Sequence, residues 1–340
     1  MANLLDMLIR GPDGMGRTLP EDTIMETRTR IGTSACLLGE KVRYDGESKR
    51  NIYITDTLGR FFNLVPVCPE VECGLPVPRE AMRLEGDPRR PRLVVVSNRT
   101  DLTERMLDYC RTKMTELDRE ELCGFIVKKN SPSCGLLRVK VFNKGIPPKN
   151  GQGLFVAAMA KHFPSLPIEE EGCLDDPAIC ENFIERVFAF RSWKEFLRRN
   201  KGLGELLAFH TVYKLQLMAH SPKIYRELGK LVASGKILKW GELLARYEER
   251  FMEALSLLAT VNRQTDVLMH IMGYFKKKIS TAEKAELLDA IQRYHDRVIP
   301  IIVPLTMLRH YAAHHGEEYL GGQTYLKPHP AELMLRNHGQ

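Results

Sequence analysis

Apolar positions change rhythm along this chain, and the change divides it. From about residue 29 they come in short, partly β-branched runs closed by turn residues, which predicts strands over 30–35, 62–67, 93–97 and 124–128. Between the third and fourth runs, Leu102, Met106, Leu107, Cys110, Met114 and Leu117 recur at helical spacing, so 102–122 reads as a helix. Strand, helix, strand implies a parallel crossover. A second helix over 153–162 ends near Pro164. The expected fold class is α/β: a Rossmann-like, mostly parallel sheet with helices on both faces.

Beyond residue 177 the period is helical almost throughout. A connecting helix is predicted over 178–193, then helices over 204–220, 239–263, 265–278 and 281–297, with Ser280 and Glu283 spaced as a capping box. Pro300 and Pro304 predict a kinked or interrupted helix over 298–315, and Gly321-Gly322 opens a C-terminal tail. Residues 164–177, rich in Pro, Gly and acidic residues, read as a linker. Residues 1–28 have no sustained period and read as a tail. Met25 stands nine residues before Ser34, so the first 24 residues are expected to precede the domain proper. The expected organisation is a tail over 1–28, an α/β domain over 29–165, a linker and connecting helix over 166–192, and a separate all-α domain over 193–340.

Composition agrees with two soluble domains: 340 residues, 44% hydrophobic and 27% charged. There is no run of 18 apolar residues and no signal-peptide pattern at the start, so a cytoplasmic protein without a membrane partner is expected. In that reducing compartment eight cysteines read as core thiols, metal ligands or catalytic groups rather than disulfides. Residues 1–190 hold 27 Lys+Arg against 28 Asp+Glu, whereas residues 191–340 hold 23 against 15 and nine of the ten histidines. The basic excess belongs to the helical half, which implies different partners for the two halves.

The chemistry concentrates at strand ends. Cys68-Pro69-Glu70-Val71-Glu72-Cys73 follows the second predicted strand, Cys36 closes the first, and Cys134 lies just beyond the fourth. Ligands bind outside the carboxyl ends of strands in open parallel sheets. Ser97-Asn98 follows the remaining strand and is expected at the same edge. Spacings of 32 and 66 residues between Cys36, Cys68 and Cys134 match neither a zinc ribbon nor a ferredoxin, and each cysteine alone reads equally as a packed core thiol. Their shared position predicts convergence on one metal centre.

Ser34-Ala-Cys36-Leu-Leu-Gly39, Val42-Arg-Tyr-Asp-Gly46, Cys68-Pro-Glu70-Val with Gly74-Leu75 and Pro78-Arg79, and Ser131-Pro-Ser-Cys-Gly135 resemble the signature blocks of the thiouracil desulfidase (TudS-like) family over about residues 29–165. The resemblance implies a 4Fe-4S cluster on Cys36, Cys68 and Cys134 with one iron lacking a protein ligand. It implies Glu70 and Ser131 as the catalytic pair, and a thiolated nucleobase as substrate of a desulfidation without net redox. Cys73 stands where many small family members have glycine. It is a possible fourth ligand or a neighbouring thiol, and both readings stay open. Arg43 and Asp45 read as shaping the loop after Cys36, Cys110 and Cys123 as core, and Cys173 and Cys180 as incidental.

The helical half resembles the YbgA-like family through Lys201-Gly-Leu-Gly-Glu-Leu-Leu-Ala-Phe-His210, Lys214-Leu-Gln-Leu-Met-Ala-His-Ser221 and Gln323-Thr-Tyr-Leu-Lys-Pro-His-Pro330. The fusion is similar to RudS-type enzymes, which implies sulfur removal from 4-thiouridine in tRNA, with the basic half holding RNA. Lys214, Lys276, Lys277 and Lys278, interleaved with Tyr213 and Tyr274, are the candidate RNA contacts. Such lysines are equally read as solvated helix ends. His310, His314 and His315 read as surface histidines before metal ligands, and His210 and His220 equally as packed between helices. The competing functions are desulfidation of free thiouracil or thionucleosides, and a non-catalytic cluster- or zinc-bearing sensor that binds nucleic acid.

Overall fold

In the computed structural model, which describes residues 28–143, 146–199 and 202–337, eight strands form two sheets. They are β1 (Thr29–Ser34), β2 (Phe62–Val67), β3 (Met82–Asp87), β4 (Arg90–Val95), β5 (Gly124–Val127), β6 (Val139–Asn143), β7 (Ile146–Gly151) and β8 (Ile168–Glu170). The first sheet has the order β2-β1-β5-β8 and is parallel throughout. The second has the order β4-β3-β6-β7 and is mixed. The expectation for residues 1–24 lies outside the described residues.

Alternation along the parallel strands feeds two cores. Phe125 and Val127 pack with Met106 and Met114 of α2 (Thr103–Arg119) and Phe155 of α3 (Leu154–His162), beyond the one-turn α1 (Pro69–Glu72). Ile126, with Ile31 and Phe62, packs on the opposite face against Phe183, Ile184 and Val187 of α4 (Pro177–Arg199). The central pairing requires a glycine. Gly32 faces Phe125 in register, and a β-carbon there would stand 2.2 Å from the Phe125 ring.

Two strand expectations are corrected. The run expected at 93–97 is β4, the antiparallel hairpin partner of β3, so Ser97-Asn98 lies at the edge of the other sheet and not beside the cysteines. The charged Met82-Arg-Leu-Glu-Gly-Asp87 of β3 hides a strand that only pairing reveals. Within the stretch read as a linker, Ile168–Glu170 completes the parallel sheet as β8.

Helix α4 serves both halves. It spans 23 residues, on the order of 35 Å at 1.5 Å per residue. Its early turns cover the sheet, while Ala189 and Trp193 enter a helical core with Leu206, Leu217 and Phe251. The helices that follow are α5 (Leu203–Val212), α6 (Lys214–His220), α7 (Pro222–Ala233), α8 (Trp240–Ser256), α9 (Val261–Met272), α10 (Thr281–His295) and α11 (Ile302–His314). The helix expected over 204–220 is divided at Tyr213. Helix α7, unforeseen, starts at Pro222 with Ser221 capping Ile224 N–H at 3.3 Å. The Ser280–Glu283 capping box forms in both directions, at 3.2 and 2.7 Å. Pro304 sits in the first turn of α11, where no helical hydrogen bond is lost, so it opens that helix instead of kinking it.

The expected C-terminal tail is instead packed. Tyr325, Leu326, Leu333, Leu335 and Arg336 are buried, and Leu333 and Leu335 return to the sheet-side core beside Ile31 and Leu37. Arg336 donates to Glu181 at 2.8 Å, Glu185 at 2.7 Å and the Tyr325 carbonyl at 2.7 Å, while His220 Nε2 lies 3.1 Å from Glu185. Burial pushes the Glu185 carboxyl up, but Arg336 and His220 outweigh it and hold it below the ordinary range. Replacing Arg336 by Met leaves two buried carboxylates without their cation, a loss of about 3–5 kcal/mol. Urea unfolding of the full chain should register it, and unchanged stability refutes it. The depressed Glu185 value contributes stabilisation that is present above pH 4.5 and fades as pH falls below it, whereas burial raises its neighbour Glu181 to about 7, which costs stability as pH rises from 4.5 through that value.

Candidate metal centre

Strands β2, β1 and β5 point their carboxyl ends the same way, and each delivers one thiol. After Ser34, a 3-10 turn over Ala35–Leu38 carries the buried Cys36. After Val67, Cys68 stays extended and starts α1, and the Glu72 carboxylate accepts the Cys68 N–H at 2.7 Å. Glu72 is itself held by Tyr109 Oη at 2.9 Å and Lys113 at 2.8 Å. After β5, the loop 131–135 winds around the Ser131 hydroxyl, which accepts the amides of Ser133 at 3.2 Å and Cys134 at 3.1 Å. Gly153, before α3, permits close approach to this loop: a β-carbon there would lie 2.4 Å from the Ser133 carbonyl. The amides of Leu154 and Phe155 then reach the carbonyls of Pro132 and Ser133, both at 3.1 Å.

All three cysteines, Glu70 and Ser131 line one cavity of about 450 Å³. Burial, then the neighbouring Cys68, pushes the Cys36 thiol up to about 11, against the pull of Lys128 and Arg43. Burial also raises Cys68, and raises Cys134 furthest, with Glu70 and the other two thiols adding to it. Three thiols in one enclosed space therefore resist ionising together, and a cation among them removes that cost. Three thiols lining one cavity are a soft donor set that fits a thiophilic metal centre.

Glu70 is the anchored carboxylate of the cavity. Its Oε2 accepts Arg79 Nε at 3.0 Å and Arg79 Nη2, and its Oε1 accepts Ser133 Oγ at 2.8 Å and Ser131 Oγ at 3.3 Å. Arg79 also donates to the Val42 carbonyl at 3.0 Å, which ties Glu70 to the loop after Cys36. Sequence reasoning gave Arg79 and Ser133 no role, although both lie inside motif blocks. It also missed the acids of the supposed linker. Glu170 accepts the amides of Leu136 and Leu137, both at 2.9 Å, and Glu171 accepts Lys129 N–H at 2.6 Å and pairs with Lys128. The acidic run thus holds both sides of the Cys134 loop.

The remaining expected residues lie elsewhere. Cys73 is outside the cavity lining. Its thiol donates to the Glu70 carbonyl at 3.2 Å and packs with the core around α2. Arg43 clasps Asp45 at 3.1 and 2.7 Å and shapes the loop after Cys36. In the helical half, Lys214 Nζ lies 5.9 Å from the Tyr319 ring, which stacks on Tyr274. Lys276 and Lys277 are exposed, and Lys278 is ion-paired with Glu317. His210 is buried against Tyr225 and Tyr247, and burial lowers it to about 4.

Residues 31–171 match the 2-thiouracil desulfurase family, and residues 214–330 match a family described as a protein of unknown function (DUF1722). The chain is 34% identical over 162 residues to the uncharacterized protein YbgA of Escherichia coli (strain K12), a match that spans 47% of this chain and 95% of YbgA. Among solved structures it is similar to the 4Fe-4S-dependent thiouracil desulfidase TudS, at 30% identity over 44% of this chain and 94% of that one, with a TM-score of 0.37.

In metal-free protein at pH 8, iodoacetamide should modify Cys36 more slowly than a solvent-exposed thiol. Since its pKa is raised to about 11, the rate should climb about tenfold per pH unit toward that value. Mass spectrometry of the modified peptide checks this, and a plateau near pH 8 would refute it.

Proposed function

Because the chain carries a 2-thiouracil desulfurase domain over residues 31–171 and belongs to the YbgA family through its helical half, we propose that it is a 4Fe-4S-dependent desulfidase that converts 4-thiouridine in tRNA to uridine. The observation that carries this reading is the arrival of Cys36, Cys68 and Cys134, from three strand ends, in one cavity that also holds Glu70. Cys36, Cys68 and Cys134 would hold such a cluster, and Cys73, outside the cavity lining and turned to the Glu70 carbonyl, would not. When bound, such a cluster supplies a thiophilic Lewis acid for the C=S sulfur.

The protein's own groups manage water and protons. Net, C=S and H₂O become C=O and H₂S, so the ring carbon keeps its oxidation state and no external electron donor is needed. Arg79 holds Glu70 Oε2, and Oε1, which the Ser133 and Ser131 hydroxyls reach, takes a proton from the attacking water as those hydroxyls yield and returns it to the departing sulfur. Ser131 accepts two backbone amides and so directs its hydrogen to Glu70 Oε1, which makes it the residue that orients this carboxylate. Arg43, Lys49 and Lys129 at the wall offset the negative charge of thiolates and substrate phosphate. The helical half, with its basic excess and the candidate contacts Lys214, Lys276, Lys277 and Lys278, holds the polymer while the thiolated base leaves its stack.

A second reading, desulfidation of free thiouracil, is favoured by the family description. Rates on nucleobase, nucleoside and intact tRNA separate the two.

Replacing Cys36, Cys68 or Cys134 by Ala should abolish iron retention and the visible absorbance of anaerobically purified protein, whereas Cys73→Ser should retain both. Glu70→Gln should keep the cluster and lower kcat by about 10²–10⁴ in sulfide-release assays. A fully loaded wild-type protein that releases no sulfide from any thiolated pyrimidine would sink the enzyme reading.

A further inference from the structure

The α/β half is neutral in sequence, yet its fold gathers cations on one side. The turn between β3 and β4 presents Arg89 and Arg90, with Arg92 just beyond, and Arg111 of α2 and Lys161 of α3 face the same groove of about 1070 Å³. Residues far apart in the chain are brought together only by packing of the hairpin across α2 and α3. One acid, Glu104, lines the groove with them. Arg92 has Asp101 at 3.8 Å and Arg111 pairs with Asp108, but among the described residues Arg89, Arg90 and Lys161 have no carboxylate partner. All five cations are exposed. The floor is apolar, built by Leu107, Met114 and Leu154.

We infer that this groove is a binding site for the sugar-phosphate backbone of an RNA substrate, separate from the thiol cavity and from the basic helical half. Unpaired guanidinium groups on a rim fit phosphate oxygens, and an apolar floor accommodates sugar and base faces. Strand β3 links the two places, since Met82 lines the thiol cavity and Asp87 leads into the Arg89–Arg90 turn. Six residues of strand cover roughly 17–20 Å, about three nucleotides of extended chain. A free nucleobase in the cavity cannot reach the groove, and a polynucleotide can. The site thus gives the catalytic half its own means of selecting a polymer. The inference rests on the RNA reading of the preceding section.

The test uses the full-length, cluster-loaded protein, with Arg89→Glu/Arg90→Glu and Arg89→Gln/Arg90→Gln/Lys161→Gln compared with wild type. None of these side chains touches the thiol cavity, so turnover of free 4-thiouracil should be unchanged and serves as the control for folding and loading. On tRNA containing 4-thiouridine, KM should rise roughly tenfold or more, and the slope of log affinity against log salt should flatten by about two to three for the triple variant. Wild-type turnover of tRNA with unaltered KM and salt slope in both variants overturns this inference and leaves the RNA reading standing. Wild type that desulfidates 4-thiouracil but neither binds nor turns over tRNA overturns the RNA reading and the inference with it. Binding to phosphatidylglycerol vesicles that depends on Arg89 and Arg90, with no change on tRNA, assigns the groove to an anionic lipid surface and also overturns it.

Discussion

Parallel pairing of β2, β1 and β5 is the constraint on which the rest of the structure depends. Parallel strands end at the same edge, and the chain leaves β1 toward β2 on one side and later returns as β5 on the other. A crevice opens where those connections diverge. Cys36, Cys68 and Cys134 each follow one of these three strands, so one pairing geometry gathers in one cavity three thiols from residues nearly a hundred positions apart. Gly32 maintains it, because any side chain there would drive Phe125 out of register or out of the core.

Around that edge, charge is organised in pairs with a division of labour. Arg79 and the two serines hold Glu70 in the cavity, where it is available to protons. Glu72, two residues on and about half a turn round the helix, faces outward and gives its oxygens to the Cys68 amide, Tyr109 and Lys113. Glu170 and Glu171 brace the Cys134 loop from behind. Two neighbouring glutamates thus acquire different tasks through the direction in which a one-turn helix points them.

The helical half is joined to this scaffold through a continuous helix and a returning segment. Helix α4 contributes Phe183 and Val187 to one core and Trp193 to another, and Leu333 and Leu335 come back to the sheet. Arg336 closes the junction among Glu181, Glu185 and the Tyr325 carbonyl, all away from water. A buried cation with this many partners is costly to misplace, which gives the junction specificity. The two halves are therefore mechanically coupled.

By itself the sequence determined the elements whose signals are local. The period of 3.6 marked α2 and most later helices, Ser280 and Glu283 marked a helix start, and the strand-end positions of Cys36, Cys68 and Cys134 marked the cavity they share. Tertiary structure alone decided which strands share a sheet, since the run around Leu93 looks the same whether it pairs in parallel or in a hairpin. It also decided the fate of polar residues. Glu170, Glu171 and Arg336 read as solvated linker and tail because their partners are distant in sequence, and a charge is recognised as structural only when the group that neutralises it is in place. The arginine groove has the same origin: a half-chain with balanced charge is not a surface with balanced charge, because folding sorts the charges by face.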